Sequence, residues 1–116
     1  MEDLFGARAV LFECEEEGEH VRIECAMMKD GGLALLRSTD GPLTEWLLGE
    51  SPHRVEADVD AVGASMLAKR LGLEDAGMLP SCLRVRFVGS DSDDRIRRLL
   101  RELAIPYGVI EDAPAR

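Results

Sequence analysis

His20 and His53 are the only histidines of this chain, and Cys14, Cys25 and Cys82 its only thiols. A structural or catalytic zinc site needs three or four such ligands at close, recurring spacings, and neither histidine stands in such a spacing with a cysteine or with the other histidine. A nucleophilic thiol needs a base beside it. Cys25 and His20 share a stretch of alternating residues but have opposite parity, so they fall on opposite faces of a strand; Cys82 has no base near it in sequence. The acidic run "ECEEEGEH" from Glu13 to His20 does not match the frame of oxygen ligands around a central glycine that a calcium loop requires. No glycine pattern that cradles phosphates occurs. These residues therefore predict no catalytic, cofactor-binding or metal-binding residue, and the chemistry that remains is that of contact.

Two groups could make such contacts. Arg95, Arg97, Arg98 and Arg101 lie close together, with Asp94 four residues before Arg98 in the orientation that favours an ion pair on a helix. They form either a solvated helix face or a patch for an anion or an acidic partner. The second group surrounds the single tryptophan, in "TDGPLTEWLLGES" from Thr39 to Ser51. Trp46 has two readings. It plugs the open end of a sheet as part of a lid, burying the largest side chain of the chain. Alternatively it is an exposed anchor among Asp40, Glu45 and Glu50, since tryptophan is enriched where partners bind. Glu15 and Glu17 extend the acidic surface, so the partner-binding candidates are Trp46, Glu45, Asp40, Glu50, Glu15 and Glu17.

Charge sorts the partners. Residues 1–60 carry 15 acidic against 5 basic side chains, and residues 61–116 carry 8 against 9, within a net charge of −9. An acidic half repels phosphate backbones, so nucleic acid is not an expected partner. It attracts a protein with a basic surface, for which opposite potentials speed encounter. Three cysteines without a Cys-x-x-Cys pair point to reduced thiols in the cytoplasm, with a Cys14–Cys25 bridge as the alternative. Met1-Glu2-Asp3 is acidic where a signal peptide is basic, and no apolar run approaches the roughly 20 residues of a membrane span, so no membrane association is expected.

The elements that would position these groups follow from periodicity. Val10, Phe12 and Cys14 alternate with Leu11, Glu13 and Glu15; Val21, Ile23, Cys25 and Met27 alternate with His20, Arg22 and Glu24. Gly18 and Asp30-Gly31 supply the turns, and Leu33–Arg37 reads as a third strand. Asp40-Gly41-Pro42 stops it, Thr44–Leu48 makes one helical turn ending at Gly49, and His53–Asp60 resumes alternation as a fourth strand. Asp60 then caps a helix over 61–71, with Val62, Met66 and the 65/69 row as its apolar stripe. Residues 79–88 read as helix, with strand as the alternative, because Pro80 suits a first turn and Leu79, Leu83 and Phe87 recur at four. Ser92 caps the last helix, Asp93 and Asp94 face its positive end, and Ile96, Leu99, Leu100 and Leu103 form its stripe. Gly108–Ile110 makes a short edge strand, and Asp112–Arg116 is expected to fray. Strands first and helices later predict an α+β fold: one domain over 1–116, an antiparallel meander of about four strands, two or three helices on one face and a C-terminal edge strand.

The stretches "DGPLTEWLLGES" and "LRELAIPYGVI" together resemble a group of small uncharacterised bacterial proteins. Those proteins carry an Asp-x-Gly-Pro…Glu…Gly-(Asp/Glu)-Ser stretch and a Gly-Ile-Pro-Tyr ending. Asp40, Gly41 and Pro42 match without the intervening residue, and Ala104 stands where the family has glycine. Some small acidic bacterial proteins of this type look like immunity proteins, which neutralise a toxin by binding it; the resemblance implies that kind of role. The expected function is thus a protein-binding module rather than an enzyme. A small-ligand binder or enzyme with a pocket between sheet and helices is one rival, and a self-associating domain forming a homodimer through an edge strand is the other.

Overall fold

The computed structural model describes residues 5–111; the acidic start at Met1–Asp3 and the end expected to fray, Asp112–Arg116, lie outside them. Five strands form one antiparallel sheet in the order in which they occur: β1 (Phe5–Glu16), β2 (Glu19–Met28), β3 (Leu33–Asp40), β4 (His53–Val59) and β5 (Gly108–Glu111). The helices are α1 (Pro42–Leu48), α2 (Ala61–Arg70), α3 (Leu79–Arg86) and α4 (Ser92–Glu102), with a 3₁₀ turn over Ala76–Met78 leading into α3. The fold is α+β, a meander with helices laid on it and the short strand β5 at its far edge, as the order of strands before helices predicts.

Local chemistry accounts for the turns. Glu17 and Gly18, both at positive φ (52° and 81°), join β1 to β2 in a two-residue loop whose twist matches the strands. The β2–β3 loop is longer: Gly31 takes the positive φ, its N–H donates to the Met28 carbonyl at 3.0 Å, and the Asp30 carboxylate accepts from Gly32 N at 2.8 Å.

One feature of β1 breaks the simple alternation. Val10 pairs with Glu24 and Phe12 with Ile23, so Leu11 is an extra residue at a bulge. Val10 consequently faces away from the helices, while Ala9, Leu11, Phe12 and Cys14 face them. The bulge also places Cys14 opposite Val21 and Cys25 opposite Ala9, and all three cysteines are free thiols, so the alternative of a Cys14–Cys25 bridge does not hold.

The core lies between this face and the helices. Ile23, Leu33, Leu67, Leu79, Leu83, Ile96 and Leu100 are all but fully buried, each contributing roughly 1.5–3 kcal/mol. Residues 79–86 are helical and bury Leu79, Pro80 and Leu83, as the four-residue recurrence indicates. The stripe of α2 differs from expectation. Val62 and Met66 are exposed, and Gly63, Ala64, Leu67 and Ala68 face the core, because α2 docks so closely that a Cβ on Gly63 would stand 2.7 Å from Val59 Cγ1. Ser92 does not cap α4. It is the first helical residue, and its hydroxyl is buried without a partner, while Asp93 and Asp94 occupy the first turn as expected. The opposite sheet face carries a smaller buried cluster of Ala26, Ala34 and Leu36. Among the described residues no helix is long and apolar enough to cross a membrane.

Candidate functional site

α1 is held in place by polar bonds at both ends. At its start, the Glu19 carboxylate accepts from Leu43 N, from Thr44 N (3.2 Å) and from Thr44 Oγ1 (2.8 Å), so a side chain from β2 satisfies the first turn that Gly41 cannot cap. At its end, Gly49 adopts φ 77° and its N–H donates to the Glu45 carbonyl at 2.8 Å. Ser51 Oγ donates to Asp40 Oδ1 (2.5 Å) and accepts from Gly41 N (2.9 Å), tying the two sides of the α1 loop together. Thr44 is the buried residue of this helix.

Nothing in that arrangement uses Trp46. The indole is 79% exposed, with Leu47 at 62% and Leu43 and Leu48 at 52% each. The lid reading of Trp46 is therefore overturned: a helix fastened by a buried threonine and a carboxylate cap does not need its tryptophan as a plug. α1 presents an apolar ridge to water.

Beside this ridge lies an open cleft of about 740 Å³. Its floor is the helix-facing side of β1 and β2 at Phe12, Cys14 and Val21. Pro42, Leu43 and Trp46 of α1 form one wall, with Arg37 and Ser90 elsewhere along the lining. Its rim is the hairpin tip, Glu16, Glu17 and Glu19. Arg37 is committed: it donates to Asp93 Oδ1 at 3.1 Å and to the Ser90 carbonyl at 3.0 Å, fastening β3 to the start of α4 and neutralising Asp93, itself 5% exposed. Glu19 is committed to α1. Glu16 and Glu17 are exposed and make no ion pair with a described residue, and the α1 partners of Glu19 are uncharged, so the rim of the cleft is negative.

Of the six residues expected to meet a partner, Trp46 and Glu17 line the cleft, and Glu45 is exposed on α1 next to them. The other three are placed otherwise. Asp40 is engaged by Ser51, Glu50 Oε1 lies 2.9 Å from His53 Nδ1, and Glu15 pairs across the hairpin with His20 on the strand face turned away from Cys14. The lining residues Phe12, Cys14, Glu16, Val21, Arg37 and Leu43 were not among the expected ones. Their alternation was legible; which part of the apolar face the helices leave uncovered was not.

The remaining candidates are structural. His20 Nε2 lies 2.7 Å from Glu13 Oε2, in an exposed cross-strand pair with Arg22 nearby. Arg95 donates to the Arg86 and Val88 carbonyls and stacks over Phe87, while Arg97 lies over the Tyr107 ring at 5.6 Å and Arg101 donates to its hydroxyl at 2.6 Å. These two guanidiniums, Arg97 foremost, hold the Tyr107 phenol below the usual tyrosine range. The arginine helix is thus largely engaged with its own fold. Burial pushes the Cys25 thiol up to about 12, with Glu24 adding to it. Among the described residues no group of three or more His, Cys, Asp or Glu side chains is arranged to hold a metal ion.

No family model matches the chain, and neither a curated protein nor a solved structure does.

Proposed function

We propose that this chain is a non-catalytic protein-binding module. Its contact surface is α1 together with the β1–β2 hairpin tip, and its partner presents a surface both basic and apolar. The observation that carries this reading is the 79% exposure of Trp46 on a helix that is fastened without it. Large aromatic side chains left in water are a liability unless a partner covers them, and tryptophan is the residue most enriched at binding hot spots. Glu16, Glu17 and Glu45 around it favour a cationic partner and would hasten encounter. The small-ligand rival fits the cleft less well: among the described residues that line it, the one cation, Arg37, already serves Asp93, and no set of polar groups converges on one point.

An immunity-type role, suggested by the resemblance of the α1 segment and the C-terminal ending to small acidic bacterial proteins, is the specific form of this proposal. Binding that occludes a basic active surface would suffice to neutralise a toxin. Three free thiols suit a reducing compartment such as the cytoplasm.

The test is a photo-crosslinking residue placed at Leu47 in the full chain within its native cells, with Lys69 on α2 as the control site. A discrete adduct from Leu47 that is absent from Lys69, and that weakens in high salt, supports the proposal. Equal adducts from both sites, or none from Leu47, refute it.

A further inference from the structure

The cleft beside α1 has the chemistry of a receptor for one kind of segment. We infer that it takes an extended peptide in which a long aliphatic side chain stands next to a lysine or arginine. This rests on the protein-binding proposal and names what the partner inserts.

Three observations carry it. First, the floor is core-type surface left open. Phe12, Cys14 and Val21 continue the inner face of β1 and β2, whose next residues, Leu11 and Ile23, are buried beneath the helices. Second, the volume of about 740 Å³ accommodates a few side chains and not a globular surface, since a cleft of this size matches ligands of that scale. Third, the charge of the rim is fixed in sign. Arg37 is neutralised by Asp93, the Glu19 carboxylate accepts from uncharged donors of α1, and Glu16 and Glu17 stand at the mouth without an ion pair to a described residue. An aliphatic group on the floor places a cation one or two residues along at the glutamates, while the indole of Trp46 covers the segment from the side and attracts the same cation through its ring face.

The test uses the full chain and three synthetic peptides: acetyl-Gly-Leu-Arg-Leu-Arg-Gly-amide, the same peptide with both arginines replaced by glutamate, and the same peptide with both leucines replaced by serine. Two readouts are local to the cleft. Trp46 is the single tryptophan, and Cys14 lies on the floor, whereas Cys82, also partly accessible, lies on α3 outside it. The leucine–arginine peptide is expected to shift Trp46 emission to the blue saturably and to slow alkylation of Cys14 at least several-fold relative to Cys82. The glutamate and serine peptides are expected to do neither. The double substitution Glu16→Lys with Glu17→Lys is expected to weaken binding by roughly tenfold or more, a loss that added salt reproduces in the parent chain. Equal binding by the glutamate peptide overturns the inference, as does equal protection of Cys14 and Cys82. If a partner still crosslinks through Leu47 while the peptide leaves Cys14 unprotected, the cleft inference falls and the broader protein-binding reading stands. If both fail, both fall. The peptide controls judge the inference even if the lysine variant does not fold.

Discussion

Glu19 is the residue on which the placement of α1 turns, and replacing it by alanine isolates that role. The substitution removes one carboxylate that accepts from Leu43 N, Thr44 N and Thr44 Oγ1. Leu43 is exposed, so its N–H can turn to water at little cost. Thr44 is 5% exposed, so its N–H and hydroxyl lose a partner that water replaces poorly. Loss of a helix cap costs roughly 0.5–2 kcal/mol, and a buried polar group left unsatisfied about 1–3 kcal/mol. The two overlap, so Glu19→Ala should destabilise by about 2–3 kcal/mol. At about 4 °C per kcal/mol for a chain of this length, the melting temperature should fall by roughly 10 °C. Glu19→Gln, which keeps the acceptor and loses the charge, should cost about half as much. Thermal unfolding by circular dichroism gives the totals, and a double-mutant cycle with Thr44→Val isolates the pair, with an expected coupling of about 1 kcal/mol. Glu17→Ala is the control and should stay within about 0.5 kcal/mol. If Glu19→Ala costs no more than Glu17→Ala, or if Glu19 and Thr44 prove additive, α1 is held by its apolar side chains. Trp46 would then be part of the fold rather than free for a partner.

Ala104 occupies φ 57° after α4, with Ala104 N donating to the Arg101 carbonyl and Ile105 N to the Leu100 carbonyl, the paired bonds of a helix terminated in the left-handed region. Relief of about 1–2 kcal/mol of strain, less the entropy that glycine adds to the unfolded chain, gives Ala104→Gly a gain of about 0.5–1 kcal/mol in urea unfolding. Gly41→Ala should be strongly destabilising in the same assay, since φ is 144° and its Cβ would stand 2.6 Å from the Gly18 carbonyl oxygen as well as against Glu19. Cys25, pushed up to about 12 from 9.0, remains a thiol in the fold where the unfolded chain ionises. The native state then binds more protons, so stability is full below pH 9 and declines as pH rises from 9 towards 12. That decline should be smaller in Cys25→Ala, and iodoacetamide at pH 8 should label Cys14 and Cys82 well before Cys25.

Much of this architecture is legible in the sequence because the signals are local and redundant. Val21, Ile23 and Cys25 alternate with Arg22 and Glu24, Gly18 and Gly31 sit where positive φ is needed, and Ile96 to Leu103 fall on one helical face. What the sequence hides is set by contacts between distant parts. The bulge at Leu11 reverses the parity of Val10, and no local rule announces it. The close approach of α2 at Gly63 selects Ala64, Leu67 and Ala68 for the core over the larger Val62 and Met66, so size misleads where distance decides. Trp46 reads as a plug because burying an indole is favourable; the cap from Glu19, 25 residues before Thr44, removes the need. The cleft arises where α1 stands over the sheet beside Ser90, in the connection between α3 and α4, and it draws in Glu16 beside Glu17 while Asp40 and Glu50 are taken up by Ser51 and His53.

The central claim is that the largest side chain of this protein serves contact and not folding. Urea unfolding of Trp46→Ala, followed by far-ultraviolet circular dichroism, tests it most directly. An unfolding free energy within about 0.5 kcal/mol of the parent chain is the expected result, as for an exposed surface position. A loss of about 3–5 kcal/mol, the cost of deleting a core tryptophan, would contradict it.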